Sequence, residues 1–207
     1  DQFIFPWRTT RTSFPSNGNE VLVRAEVNPD RRMNLELRLR HKEKPASNLA
    51  ISPFGLSQKF DDTRGQQNYR ATLTVGSSES LLWRSRIEVV EVKYSARWSR
   101  ETGMLAYQDF CFVPIQRLSV TIRAIVFQTD TYDSRVYEFE EEVPGTYQNP
   151  ALYGKGLRWY IVGRYDYGRR MSLSLKYSQT RREEPKNRAL PEEVVVNGID
   201  DRLAVQI

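Results

Sequence analysis

A two-residue alternation between apolar and polar side chains is the feature of this sequence that most constrains its fold. Met33–Arg40 alternates strictly, and the same pattern returns in Leu118–Ala124 and Met171–Tyr177. Neighbouring side chains on a β-strand point to opposite faces, so each of these segments has one apolar face and one polar face. No segment shows the 3.6-residue period of an amphipathic helix. The sequence therefore predicts an antiparallel all-β protein.

Turn-forming residues divide the chain into about ten segments of strand length. These strands are predicted near residues 2–12, 20–28, 33–43, 67–76, 81–94, 104–114, 118–129, 157–167, 171–182 and 199–207. Short turns rich in Gly, Pro, Asn, Asp and Ser are predicted at 28–32, 76–80, 114–117 and 168–170. Longer connections are predicted near 44–66, 95–103, 130–156 and 183–198.

Short and long connections alternate along the chain, and this order carries information about topology. An up-and-down barrel in the outer membrane has short turns at its periplasmic rim and long loops on the outside. The predicted strands fit that arrangement if Arg135–Val143 forms a hairpin inside an external loop and does not span the membrane. The sequence therefore favours an up-and-down transmembrane β-barrel, or part of one, over residues 1–207.

Composition is compatible with a membrane barrel and excludes a helical membrane protein. Hydrophobic residues make up 39% of the chain and charged residues 28%, and no stretch approaches the roughly 18–20 apolar residues of a spanning helix. A barrel strand needs an apolar residue only at every second position. The net charge of +5 is spread along the chain, which favours a solvated surface or lumen over a nucleic-acid footprint.

Residues that support catalysis or metal binding are scarce. Cys111 is the only cysteine and His41 the only histidine. A Cys-based zinc site is therefore excluded, and a Ser–His or Cys–His pair would have to use His41. Carboxylate pairs such as Asp61–Asp62 are adjacent in sequence, and adjacent strand residues point in opposite directions. We expect a protein that is not an enzyme, with no catalytic residue, no metal and no cofactor.

The polar faces of the predicted strands carry many charged residues. In a wide barrel such residues would line a hydrated lumen, whereas in a soluble β-sandwich they would form the solvated outer face. Alternation alone leaves both interpretations open. The lumen-lining candidates are Glu36, Arg38, Arg40, Arg70, Arg123, Arg158, Arg164 and Lys176.

Several stretches together resemble a known family, namely 5–7, 82–88, 103–109, 127–138 and 150–160. The chain is similar to the C-terminal barrel portion of Bacteroidota-type outer-membrane β-barrel proteins that carry an N-terminal helix-hairpin-helix module. The resemblance implies a non-enzymatic barrel component that passes a solute or polymer, or that anchors an envelope assembly. At the level of the family, the polymer would be DNA. The competing hypothesis is a soluble envelope β-sandwich that acts as a binding module.

The connection at 130–156 holds the remaining candidates. Within the resemblance, Asp130, Asp133 and Arg135 are expected to lock an external loop, with Arg135 pairing with a carboxylate. The acidic residues 138–142 are expected to be solvated, with calcium binding as a weaker alternative. The expected partners are outer-membrane lipid and further protein chains that complete the barrel, and nucleic acid stays open as a partner.

Overall fold

The described part of the chain consists of β-strands joined by turns. The computed structural model describes residues 1–5, 16–51, 57–78, 80–96, 99–168, 171–183 and 198–206. Their strands are β1 Gln2–Phe5, β2 Ser16–Asp30, β3 Met33–Ile51, β4 Ser57–Ser78, β5 Leu81–Tyr94, β6 Ser99–Ile115, β7 Leu118–Thr129, β8 Val136–Tyr137, β9 Ala151–Leu152, β10 Lys155–Tyr167, β11 Met171–Glu183 and β12 Gly198–Gln206. In these ranges, no helix has the length and apolar character needed to cross a membrane.

Ten strands form one antiparallel sheet, in the order β1 to β7 followed by β10, β11 and β12. The remaining two strands, β8 and β9, pair only with each other in the described residues. The all-β prediction and the up-and-down strand order are therefore confirmed. Each predicted strand corresponds to one strand of the sheet, although the first is described only as β1 and its predicted residues 6–12 lie outside the described residues.

The predicted long connection at 44–66 is wrong. β3 and β4 stay paired through most of it, from Met33 opposite Val75 up to Ile51 opposite Ser57. The strict alternation of Met33–Arg40 does not continue in the sequence after Lys42, although the backbone continues as a strand. Most of the connection predicted at 183–198 lies outside the described residues.

The exposed apolar side chains of the sheet lie together on one face, which we call the outer face. One cross-strand row on this face is apolar over eight strands, from β3 to β12, and we call it the outer row. Its members are Met33, Val75, Trp83, Phe110, Ile122, Ile161, Tyr177 and Leu203. Ile122 is 46% exposed and Leu203 is 67% exposed. The outer row is therefore apolar and in contact with the surroundings.

The opposite face, which we call the inner face, is the buried one. Residues 130–154, which connect β7 to β10, fold back across it, and we call them the infolded segment. Val136 and Leu152 of this segment join a core with Leu105, Ile125 and Phe127 of the sheet. In a soluble sandwich the apolar faces would turn inward against a second sheet. Here the outer face stays exposed, and the small β8–β9 sheet packs on an apolar core of the inner face.

The prediction of a hairpin at Arg135–Val143 in an external loop is also wrong. Val136 and Tyr137 pair with Leu152 and Ala151, not with residues before Val143. The chain from Glu138 onward runs extended along the inner face. The short alternation of residues 135–143 suggested a local hairpin. The buried side chains of this stretch instead contact distant strands of the sheet.

The infolded segment approaches β6 so closely at Gly103 that only glycine fits. A Cβ atom added to Gly103 would lie 2.0 Å from the backbone oxygen of Ser134. Backbone atoms on both sides of the contact would have to shift to admit it. A Cβ atom added to Gly163, on the outer face of β10, would have no atom within 4 Å, so Gly163 provides a matched control.

We expect Gly103→Ala to loosen the infolded segment, because overpacking costs about 1–3 kcal/mol. Gly163→Ala should leave stability unchanged or raise it slightly, since alanine restricts the unfolded chain. Limited proteolysis would measure the effect as the cleavage rate within residues 130–154. Equal cleavage rates in the two variants would show that the close approach at Gly103 does not hold the segment.

Candidate functional site

The infolded segment presents a row of carboxylates to the inner face. Glu138 and Glu140 are 1% and 0% exposed, whereas the alternate residues Tyr137, Phe139 and Glu141 are exposed. This two-residue alternation follows from the extended backbone of the segment. The expectation of a solvated acidic loop is therefore wrong for Glu138 and Glu140. Their alternation with Tyr137 and Phe139 was the signal in the sequence for an extended segment that packs one of its two faces against the sheet.

Glu138 joins the segment to β5 and β7. Its carboxylate accepts hydrogen bonds from Arg86 and from Arg123, each at 2.8 Å. Arg123 also donates to Asp109 of β6 at 2.7 Å and to the backbone oxygen of Phe139 at 2.8 Å. The buried guanidinium of Arg123 thus connects three elements in one network.

Glu140 joins the segment to β10 and β11. Arg158 donates two parallel hydrogen bonds to its carboxylate, at 2.5 and 2.8 Å. Lys176 donates to the same carboxylate at 2.9 Å and also to Glu142. The Lys176 ammonium lies 4.6 Å from the centre of the Tyr160 ring, so an aromatic face covers its remaining side.

The charges of this network balance. The largely buried cations on the sheet and the carboxylates that contact them number four each: Arg86, Arg123, Arg158 and Lys176 against Asp109, Glu138, Glu140 and Glu142. Arg84, whose side chain is 36% exposed, contacts Asp109 as well, at 3.5 Å. Removing water from a charge is costly, and a buried ion pair tolerates it only when both partners are present. The infolded segment therefore serves as the counter-charge for this part of the inner face.

Glu140 is the firmer of the two anchors. Burial would raise the pKa of its carboxyl, but Arg158 and Lys176 outweigh burial and hold the pKa below its ordinary value. Burial raises the pKa of Glu138, because its arginines offset the desolvation only in part. The contribution of Glu140 to docking is therefore fully present above the ordinary carboxyl pKa and is lost as pH falls through the lowered one.

All eight lumen-lining candidates share the inner face, but they fall into two groups. Arg123, Arg158 and Lys176 are covered by the infolded segment and neutralised by its carboxylates. Arg164 is half exposed beside Asp166, near the short turn at residue 168. The other candidates lie on β3 and β4, on the part of the inner face that the carboxylates of the segment do not reach: Glu36, Arg38, Arg40 and Arg70.

The three loop-lock candidates hold the start of the infolded segment, with partners that differ from those expected. Asp130 accepts a hydrogen bond from the backbone nitrogen of Thr102 at 2.7 Å, and Asp133 accepts one from the Tyr94 hydroxyl at 2.7 Å. Arg135 forms no carboxylate pair with any described residue. It donates instead to the Tyr137 hydroxyl at 2.6 Å, since two tyrosine rings flank its guanidinium.

The inner face carries the ion-pair network beside the apolar core that Val136 and Leu152 join. The described part of the chain contains no cluster of three His, Cys, Asp or Glu side chains placed to hold a metal. Comparison with protein-family models, with curated proteins and with solved structures found no match. The function proposed below therefore rests on the residues of this chain.

We expect Glu140→Gln to weaken docking of the infolded segment strongly, because it leaves Arg158 and Lys176 buried with one carboxylate fewer. Breaking a buried pair typically costs about 3–5 kcal/mol. Glu141→Gln removes the same charge from an exposed neighbour and should cost less than about 0.5 kcal/mol. A denaturant titration of each variant in detergent would measure the difference. Similar unfolding midpoints would contradict the anchoring role of Glu140.

Proposed function

We propose that this chain is a component of a bacterial outer-membrane β-barrel, with its outer face against lipid and its inner face toward a hydrated lumen. The outer row supports this most directly. Soluble monomers rarely expose a contiguous apolar patch larger than a few hundred Å², yet this row extends without a polar residue over eight strands. Exposing such an apolar surface is favourable when the surface contacts lipid.

The height of the apolar surface matches a membrane. On β7 the outward residues run from Leu118 to Val126 before Gln128 introduces a polar side chain. At about 3.3 Å per residue this stretch is about 26 Å long. A strand tilt of about 40° reduces the height to about 20 Å, close to the roughly 25 Å apolar band of outer-membrane barrels.

Polar atoms on the outer face are satisfied within the sheet. Trp83 donates its indole hydrogen to Gln108 at 2.6 Å, and Gln108 donates to Ser85 at 2.9 Å. Trp159 donates to Gln179 at 3.2 Å, where apolar residues give way to polar ones. Internal pairing of this kind is what a lipid-facing surface requires, since lipid offers no hydrogen-bond partners.

We propose that the barrel passes a small solute. The infolded segment would narrow the lumen along β5 to β11, and the arginine-bearing face of β2 to β4 would border the open part. A narrowed lumen favours a small solute over a wide polymer such as duplex DNA. Further strands, from this protein or another chain, would complete the wall beyond β1 and β12. Anchoring of an envelope assembly is the alternative for a barrel that does not conduct.

Substituting the centre of the outer row tests lipid contact. We expect Ile122→Arg to destabilise the protein in lipid vesicles by about 2–4 kcal/mol, and Gln128→Arg, at the edge of the band, by about 0–1 kcal/mol. On a water-exposed surface both changes would stay within about 0.5 kcal/mol. Equilibrium unfolding from vesicles measures the difference. Equal stabilities would overturn the lipid-facing assignment.

Conductance measurements test whether the barrel lets a solute pass. We expect the protein to form channels in planar bilayers, and Glu140→Gln to raise their mean conductance, because a loosened segment obstructs the lumen less. Glu141→Gln should conduct like the wild type. A heat-dependent shift in gel mobility would first establish that each variant forms a closed barrel. Closed barrels without conductance in all three proteins would refute passage and leave anchoring.

A further inference from the structure

Three arginines lie directly opposite one another on the inner face. Arg24 of β2 pairs in register with Arg38 of β3, which pairs with Arg70 of β4. Like charges at directly opposed positions of a sheet repel each other. Each such arginine therefore needs a counter-charge, from the protein or from a bound ion.

The two arginines that flank Arg38 in this row have counter-charges. Arg24 contacts Glu36 at 2.7 Å and Glu26 at 3.2 Å, and Arg70 contacts Glu88 at 2.7 Å. Arg38, in the middle, has no ion pair and no side-chain hydrogen bond with any residue that the structure describes. It is only partly exposed, so solvent screens its charge incompletely.

Arg38 borders a cavity of about 90 Å³ between the sheet and the infolded segment. Four cations line this cavity, namely Arg38, Arg40, Arg70 and Arg135, together with a single carboxylate, Glu88. Arg70 and the Asn68 amide both donate to that carboxylate, at 2.7 and 3.3 Å. Arg40 also pairs with Glu20, outside the lining, at 2.6 Å, so the cavity has two positive charges in excess, those of Arg38 and Arg135.

We infer that this cavity binds one phosphate group, free or as the ester of a small solute. The guanidinium fork of arginine matches the oxygens of a phosphate and donates two hydrogen bonds at once. The volume admits several water-sized groups, enough for a phosphate and little more. Arg38 supplies the unpaired donors, and the excess positive charge of the lining matches a phosphate dianion at neutral pH.

The position of the cavity ties binding to the infolded segment. Arg135 and Tyr137 come from the segment, whereas the other cations come from β3 and β4. A bound phosphate would bridge the two and stabilise the docked state by mass action. This inference rests on the proposed function in one respect, since it names the class of solute that the lumen admits. Binding itself is measurable without a membrane.

Titration calorimetry of the purified protein in detergent, at low salt, tests the inference with inorganic phosphate and glycerol phosphate as probes. We expect Arg38→Gln to weaken the binding of both by about tenfold or more, since it removes a charged donor. Arg24→Gln is the matched control: it removes the same charge from a paired arginine outside the cavity, and should change affinity by less than about twofold. Tighter binding of glycerol phosphate would assign the site to an ester, and the reverse order to free phosphate.

Folding of the variant is controlled in the same preparation. Without phosphate, Arg38→Gln should unfold no earlier than the wild type, because it removes a repelled charge. Adding phosphate should raise the unfolding temperature of the wild type and leave that of Arg38→Gln unchanged. Absence of phosphate binding, or equal binding by wild type and Arg38→Gln, would overturn the inference.

The outcomes separate this inference from the proposed function. A detergent-requiring, conducting barrel that binds no phosphate would keep the membrane function and lose the phosphate site. A protein that is monodisperse without detergent, yet binds phosphate through Arg38, would lose the membrane function and keep the site.

Discussion

The pairing of the infolded segment's carboxylates with the cations of the sheet is the interaction on which the rest of the structure depends. Arg123, Arg158 and Lys176 lie on a face that the segment shields from water. Unpaired, these charges could not be buried there. Glu138 and Glu140 supply the missing charge from a distant part of the chain, so the segment and the inner face depend on each other.

This pairing gives the sheet an inverted distribution of side chains. Paired charges are buried on the inner face beside its apolar core, and the exposed apolar side chains lie on the outer face. The inner face is itself divided, because the carboxylates of the segment cover one part and leave the arginine row of β2 to β4 with fewer partners. Arg38 lies in the second part, where its charge has no partner among the described residues and can pair with a solute.

Much of the sheet was predictable because strand alternation is local. The ten strands were predicted from period two, and the eight lumen-lining candidates lie on one face, while their place in a lumen stays a prediction. The extended ends of β3 and β4 were missed because the strict alternation of Met33–Arg40 does not continue there. The partners of Arg135 were predicted incorrectly for another reason: a carboxylate and two tyrosines satisfy an arginine about equally well, and only proximity selects between them.

The sequence alone determined the all-β class, the order of the ten sheet strands and the two faces of their alternating parts, because these follow from the alternation of adjacent residues and from turn-forming residues between strands. Only the tertiary structure decided which face is covered. That choice depends on where residues 130–154 fold, and their docking relies on ion pairs between residues up to 52 positions apart. Such pairs leave no local period in a sequence, since any carboxylate can neutralise any arginine that the fold brings within reach.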